Sequence, residues 1–341
     1  MLTNVLKMVS ASTVILGAPS AYAADLIVSS NLPEAHWASV NGYVPFMQCA
    51  TEESNGEIQF KFFPGGTIAS LAGALDALDK GIADIALISP GALTDRLPLS
   101  TIANLPGMGE SAVESATAQR AVIDGGGFVA AEHATNNFVA LLINRFPSYQ
   151  ILSKGAPLDT AASLTGVKIT SDGGPPLVVL GSIGAVGIEM PGVDVYLSLQ
   201  QGVADGSLIS LPSAKSYHLN EVVKAVSTNG SFGSTTGLFS IRTASWDALS
   251  DAEKKVMSDC GRKIELELAK WVDNWVVEIE GEFAASGITM YEFSEEEKAK
   301  IEPFLEDARL TYVRRLVERG LPAEGAYTEF LDAVKASGEG N

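Results

Sequence analysis

Basic and metal-binding residues are scarce in this chain. Twenty-three lysines and arginines stand against 41 aspartates and glutamates, a formal net charge of −18. Phosphate recognition needs a basic face, so the balance argues against nucleic acid as a partner. Only three histidines occur, His36, His133 and His218. None belongs to an H-x-x-x-H or H-E-x-x-H spacing, which leaves zinc without support. There is no G-x-S-x-G elbow, P-loop or C-x-x-C pair. The triplet Gly125-Gly126-Gly127 does not follow a strand, as a dinucleotide fingerprint requires. The expectation is a protein with no catalytic residues, metal or cofactor. Long apolar runs are missing too, since no segment past the N-terminal leader approaches the ~20 residues of a membrane span. Internal repeats and low-complexity tracts are absent. The acidic balance reads either as a solvated surface or as one that favours cationic ligands.

What is present is globular composition, 46% hydrophobic and 19% charged over 341 residues, enough for two domains of ordinary size. Residues 1–23 read as a secretory signal: Lys7 supplies the positive region, Met8 to Ala18 the apolar one, and Ala21-Tyr22-Ala23 the cleavage site. No cysteine stands near that site to take a lipid. Cys49 and Cys260 are the only cysteines. After export they form either one disulfide or, each lying on an apolar face of an expected helix, two buried thiols.

Strands and helices alternate along the mature chain, separated by short turns. Leu26 to Ser30 is a buried strand, and 31–37 a loop into a helix from Trp37 to Glu53. Glu57 to Phe63 alternates as a strand, Ile68 to Lys80 is an amphipathic helix, and 81–87 a further strand. A helix over 114–134 is interrupted at the glycine triplet. Phe138 to Ile143 is the next buried strand, followed by the loop 144–150. Later, 203–210, 222–228 and 238–241 are strand candidates. Ser250–Glu253 and Ser294–Glu297 are capping boxes, opening helices to about Ala285 and Gly320, and a last helix covers 325–336. Trp271 and Trp275, four apart, read as packing. Such alternation argues for α/β architecture with parallel strands, in which loops after strand C-termini face a ligand crevice.

Gly166 to Gly206 organises the rest as strand, loop, helix, strand and helix. Within it stand Gly166-Val167-Lys168-Ile169, Leu180-Gly181, Met190-Pro191, Asp194-Val195-Tyr196, Leu199-Gln200-Gln201-Gly202 and Asp205-Gly206. This pattern resembles the signature of the substrate-binding proteins of tripartite ATP-independent periplasmic (TRAP) transporters, dicarboxylate-binding-protein-like. The F-P-G-G turn at 63–66 and the G-I-A-D-I step at 81–85 resemble the family as well, so the likeness covers about 26–336. It implies a two-lobed α/β periplasmic binding protein with a central ligand cleft and a long lobe-spanning helix. The implied division is 24–143 for the first part of lobe I, 144–230 for lobe II, and 231–341 for the return to lobe I. Implied too are periplasmic location, a small-molecule solute captured by hinge closure, and delivery to membrane permease subunits. An importer driven by ATP or a sensor served by a similar binding protein is the alternative.

The chain departs from the family where ligands are held. The arginine that clamps a ligand carboxylate in the family is replaced by Thr170. A second family arginine falls near Tyr149 or Gln150, and the polar pair after Asp205-Gly206 becomes Leu208 and Ile209. Glu34, His36, Trp37, Tyr149, Thr170, Asp194, Tyr196 and Phe232 are therefore the candidate ligand-binding residues, with Phe232 on its Gly/Ser loop as a lid. Carboxylates with aromatic faces suit an ammonium ion, so an amine or zwitterion such as ethanolamine is the leading expectation. An organic acid held by the Gly173-Gly174 helix start with Lys168 or Arg145 is the competing one.

Overall fold

Residues 25–338 are described by a computed structural model; the expected signal at 1–23 lies outside them. The N-terminal run is β1 (Asp25–Ser29), α1 (Val44–Glu53), β2 (Gln59–Phe63), α2 (Ala74–Asp79) and β3 (Ile85–Ile88). Ser39–Tyr43 is a π-helical turn leading into α1. The helix expected over 68–80 is trimmed to α2, because Ser70 and Gly73 close a turn in front of it. Helices α3 (Ala112–Asp124) and α4 (Phe128–Thr135) are divided at the glycine triplet, and β4 (Phe138–Arg145) follows. Gly126 there has φ +71°, a conformation other residues adopt only with strain.

The middle of the chain comprises β5 (Gln150–Ser153), α5 (Ala161–Leu164), β6 (Lys168–Ser171), α6 (Pro175–Ser182), β7 (Val186–Glu189), α7 (Gly192–Gln201), β8 (Gly206–Ile209), α8 (Leu211–Ser216) and β9 (Ala225–Ser227). After it come β10 (Thr236–Arg242), α9 (Thr243–Ala248), α10 (Asp251–Ala285), β11 (Thr289–Tyr291), α11 (Glu295–Glu318) and α12 (Ala323–Gly338). Two mixed sheets result. One has the order β2-β1-β3-β10-β4, the other β11-β9-β5-β8-β6-β7. In the first, β2, β1 and β3 are parallel and β10 runs antiparallel to both its neighbours. In the second, β7, β6 and β8 are parallel while β5 is antiparallel to β8 and β9.

Each sheet has its own core, and α10 reaches both. Met257, Ile264 and Leu268 pack with Phe46, Leu142 and Phe239 on the first sheet. Ile279 and Phe283 pack with Val195, Leu199 and Val226 on the second. At 1.5 Å per residue its 35 residues span about 52 Å. The box at Ser250 and Glu253 caps it, each side chain bonding the other's backbone N–H. Cys49 of α1 and Cys260 of α10 form a disulfide, Cα–Cα 5.8 Å, which settles the choice between bridge and thiols.

The segment after 231 does not return wholly to the first lobe. Thr289–Tyr291 adds to the second sheet beside β9, and Ile301, Leu305 and Ala308 of α11 pack in the second-lobe core with Leu180 and Ile183. Short β11 needs a partner strand, and β9 offers the open edge of β5's neighbour. Only β10 and α9 lie wholly with the first sheet, while α12 packs against α3.

Candidate functional site

The two sheets point their strand C-termini at one cavity of about 760 Å³. In α/β sheets such ends are where ligands collect, because the loops there leave the sheet with free polar groups. Asn31 and Leu32 reach it from the end of β1, Ser89 and Gly91 from the end of β3, and Asn144 and Phe146 from β4. The second lobe supplies Ser171, Asp172 and Gly174 after β6, Glu189 at the end of β7, and Tyr217 after α8.

Asp172 and Glu189 are the charged side chains in this lining, and among the described residues no lysine, arginine or histidine joins them. Ser171 pairs with Glu189 across parallel β6 and β7, which brings the two carboxylates to adjacent strand ends. Gly173, φ +93°, keeps them together. A Cβ there would meet Glu189 Oε1 at 2.5 Å, so only a glycine lets that carboxylate lie against the turn. The Tyr149 hydroxyl donates to Asp172 Oδ2 at 3.0 Å. Enclosure in the cleft raises the Asp172 pKa to about 6, against the pull of the Tyr149 hydrogen bond. The side chain is exposed to cavity space, so cavity water moderates that penalty.

Aromatic and neutral polar groups complete the walls. Asn144 Nδ2 donates to the Tyr43 hydroxyl at 3.1 Å on the first-lobe side. Burial pushes the Tyr43 phenol above its usual range. Gly192 opens α7, and a Cβ there would lie 2.5 Å from the Tyr217 ring, so the bare glycine sets how far that ring can lean back. The hydroxyls of Ser171 and Ser207 are buried in this lining without a hydrogen-bond partner among the described residues.

The eight residues expected from sequence are distributed differently. Tyr149 lines the cavity. Thr170, next to Ser171, is fully buried in β6. Glu34 is exposed outside the cavity. His36 is buried, its Nδ1 accepts the Ala38 N–H at 3.2 Å, and burial lowers its pKa to about 4, so the ring is neutral. Trp37 is 4% exposed and packs on Phe146, Trp271 and Trp275 with centroids 5.0, 6.2 and 6.4 Å away. It therefore supports Phe146 from behind, and Trp271 and Trp275 are packing residues as expected. Asp194 and Tyr196 lie on the outward side of α7, where the Tyr196 hydroxyl donates to Glu221. Phe232 is no lid in this arrangement. It is 2% exposed and stands edge-on to Phe293 in the second-lobe core.

The expected anion cradle at the start of α6 is also depleted. Pro175 and Pro176 occupy its first positions and carry no N–H, and the Leu177 N–H is spent on Gly174 O at 3.1 Å. Lys168 begins β6, at the end away from the cleft. Asp172, Glu189, Tyr43, Asn144 and Tyr217 were not singled out from sequence. A usable signal existed for the first two, since acidic residues at the ends of consecutive parallel strands face one crevice. Among the described residues no cluster of His, Cys, Asp and Glu is placed to hold a metal, and no helix is long and apolar enough to cross a membrane.

Two lobes around a cleft match the two-lobed architecture of periplasmic binding proteins. The chain belongs to the bacterial extracellular solute-binding protein family 7, whose model matches residues 29–309, and the resemblance to TRAP solute-binding proteins is thereby upheld. It is 24% identical over 225 residues to a solute-binding protein of Albidiferax ferrireducens, covering 64% of this chain and 65% of that protein. A marine metagenome TRAP solute-binding protein specific for aromatic acid ligands, solved with 3-hydroxybenzoate, superposes with TM-score 0.84 at 24% identity over 92% of this chain and 98% of that one. A TRAP solute-binding protein of Rhodoferax ferrireducens, solved with benzoate, gives TM-score 0.83 at 19% identity over 93% and 99%.

Proposed function

We propose that this chain is exported, captures an organic solute bearing an ammonium group by closing its two lobes, and hands it to the membrane subunits of a TRAP transporter. The observation that carries the ligand class is the cavity's charge: Asp172 and Glu189 face it together, without a basic side chain in the lining. A carboxylate ligand entering there meets like charge and no clamp, whereas an ammonium meets two acceptors and aromatic walls. Volume refines the class. About 760 Å³ suits a solute with a carbon skeleton larger than ethanolamine.

The linkers 146–149 and 228–235 join the two sheets and are the natural hinge, with α10 as the third connection. An organic acid is the second reading, and its support is the aromatic acids bound by the structural neighbours. A thermal-shift and calorimetric screen of amines, amino acids, betaines and organic acids separates the two, since a ligand of the folded state raises the melting temperature. Stabilisation by ammonium compounds, weakened in Asp172→Asn and Glu189→Gln, supports the first reading. Stabilisation by acids alone, unaffected or improved by those substitutions, overturns it.

A further inference from the structure

We propose that the solute is a zwitterion, and that Arg145 sets this specificity from behind the first-lobe wall. The inference rests on the ammonium reading above and adds the other end of the molecule. Arg145 ends β4 and is 2% exposed. Its Nη1 donates to Thr236 Oγ1 and, at 3.4 Å, to Asn104 Oδ1, and its Nη2 to Ser234 Oγ at 2.6 Å. All three partners are neutral, and Nε has no partner among the described residues. A guanidinium taken out of water without a carboxylate is unfavourable, and an anion brought near it relieves the imbalance. Burial lowers its pKa only to about 10, so it stays charged at neutral pH.

Thr236 is where this charge meets the ligand space. It lines the cavity beside Thr235 and Asn144. Its oxygen accepts a hydrogen bond from Arg145, while its own hydroxyl has Asn104 Oδ1 at 3.1 Å and Gln119 Oε1 at 3.2 Å as acceptors. Asp172 and Glu189 stand on the second-lobe wall, where the Tyr149 hydroxyl donates to Asp172. The first lobe thus holds a positive charge behind its wall, and the second lobe carries two carboxylates on its own. A solute with a carboxylate at one end and an ammonium at the other fits both, and it bridges the lobes when they close. Arg145 touches no cavity space itself, so it is a positioning residue that acts through Thr236 and through its field.

The test uses skeleton-matched triads: phenylalanine, 2-phenylethylamine and 3-phenylpropanoate, then leucine, isoamylamine and 4-methylpentanoate. Affinities are measured by calorimetry on the mature protein. Wild type should bind the amino acid of at least one triad about tenfold more tightly than its amine. Arg145→Gln should erase that preference while leaving the amine's affinity within about twofold, and Arg145→Lys should restore much of it. Should Arg145→Gln fail to fold, Thr236→Val removes the relay at constant shape and should narrow the preference alone. Equal affinity for amine and amino acid, or a preference that survives both substitutions, overturns the zwitterion proposal and leaves the ammonium reading standing. Binding of the acids alone, or of none of the six compounds, overturns the ammonium reading and this proposal with it.

Discussion

Arg120 and Glu265 meet 2.6 Å apart at the outer edge of the first sheet and supply hydrogen bonds that β4 has no further strand to make. Arg120 donates to the carbonyls of Ala140 and Leu141 at 3.2 and 3.3 Å. Glu265 accepts the Ile143 N–H at 2.7 Å. A buried ion pair seldom adds net stability, but losing one partner strands the other. Glu265→Met should therefore cost about 3–5 kcal/mol, and Arg120→Met a similar amount. The pair Arg120→Met with Glu265→Met should cost well under the sum of the singles. Urea unfolding of the four proteins checks this, and additive losses would show that the two residues act separately.

Gly261 lets α10 lie on that same edge. A Cβ at this position would run into the Leu141 carbonyl oxygen, which is backbone and cannot swing aside. Alanine ordinarily favours a helix over glycine by up to about 1 kcal/mol, whereas overpacking costs about 1–3 kcal/mol. Gly261→Ala should thus lower the denaturation midpoint despite its better helix propensity. A raised midpoint would mean the helix shifts without loss.

Asp172 should make ligand capture depend on pH. Its folded pKa lies near 6, above the ordinary 3.8. The ligand-free protein is therefore relaxed, not strained, as this carboxyl gains its proton below about pH 6, and Asp172→Asn should raise its melting temperature at pH 7.5. Binding of an ammonium probe needs the charged form, so affinity should fall between pH 7.5 and 5 with a midpoint near 6. Calorimetry across that range should give a slope in wild type and a flat profile in Asp172→Asn. A flat wild-type profile would remove Asp172 from ligand binding.

The Cys49–Cys260 bridge closes a loop of 211 residues. By chain entropy such a loop is worth roughly 5 kcal/mol, less any structure kept by the reduced unfolded chain. Cys49→Ser with Cys260→Ser, or reduction of the wild type, should lower the urea midpoint accordingly. A midpoint insensitive to reductant would place the stability elsewhere.

Much of this fold was legible because local signals agreed with tertiary demands. Ser250 and Glu253 announced α10, and the glycine triplet marked the α3–α4 break. Ser294 caps α11 as expected, but the Glu297 carboxylate turns to the Ala161 N–H and leaves that box half made. Ile169 lies in β6, which begins one residue later than Val167. Sheet membership was harder to foresee. Nothing local to Thr289–Tyr291 says which edge it will join, since pairing is decided by which strand is left open.

The cleft was legible in outline and not in detail. The rule that strand ends face the crevice correctly directed attention to 31–37 and 144–150. Within those loops it could not say that Asn31 and Leu32 would face inward while Trp37 turned to the core, because that depends on Phe146, Trp271 and Trp275, far away in sequence. Comparing the chain position by position with a family pattern fixed attention on Thr170. The charge sits two residues further on, at Asp172, where the strand has ended and a side chain is free to enter the cavity.

Residues Met257 and Leu268 of α10 are bedded in one core and Ile279 and Phe283 in the other, along an unbroken rod that a disulfide pins near its N-terminal third. Neither half can lose its packing without stripping apolar cover from a helix the other half also needs. Two sheets with separate interiors are in this way bound into a single cooperative unit.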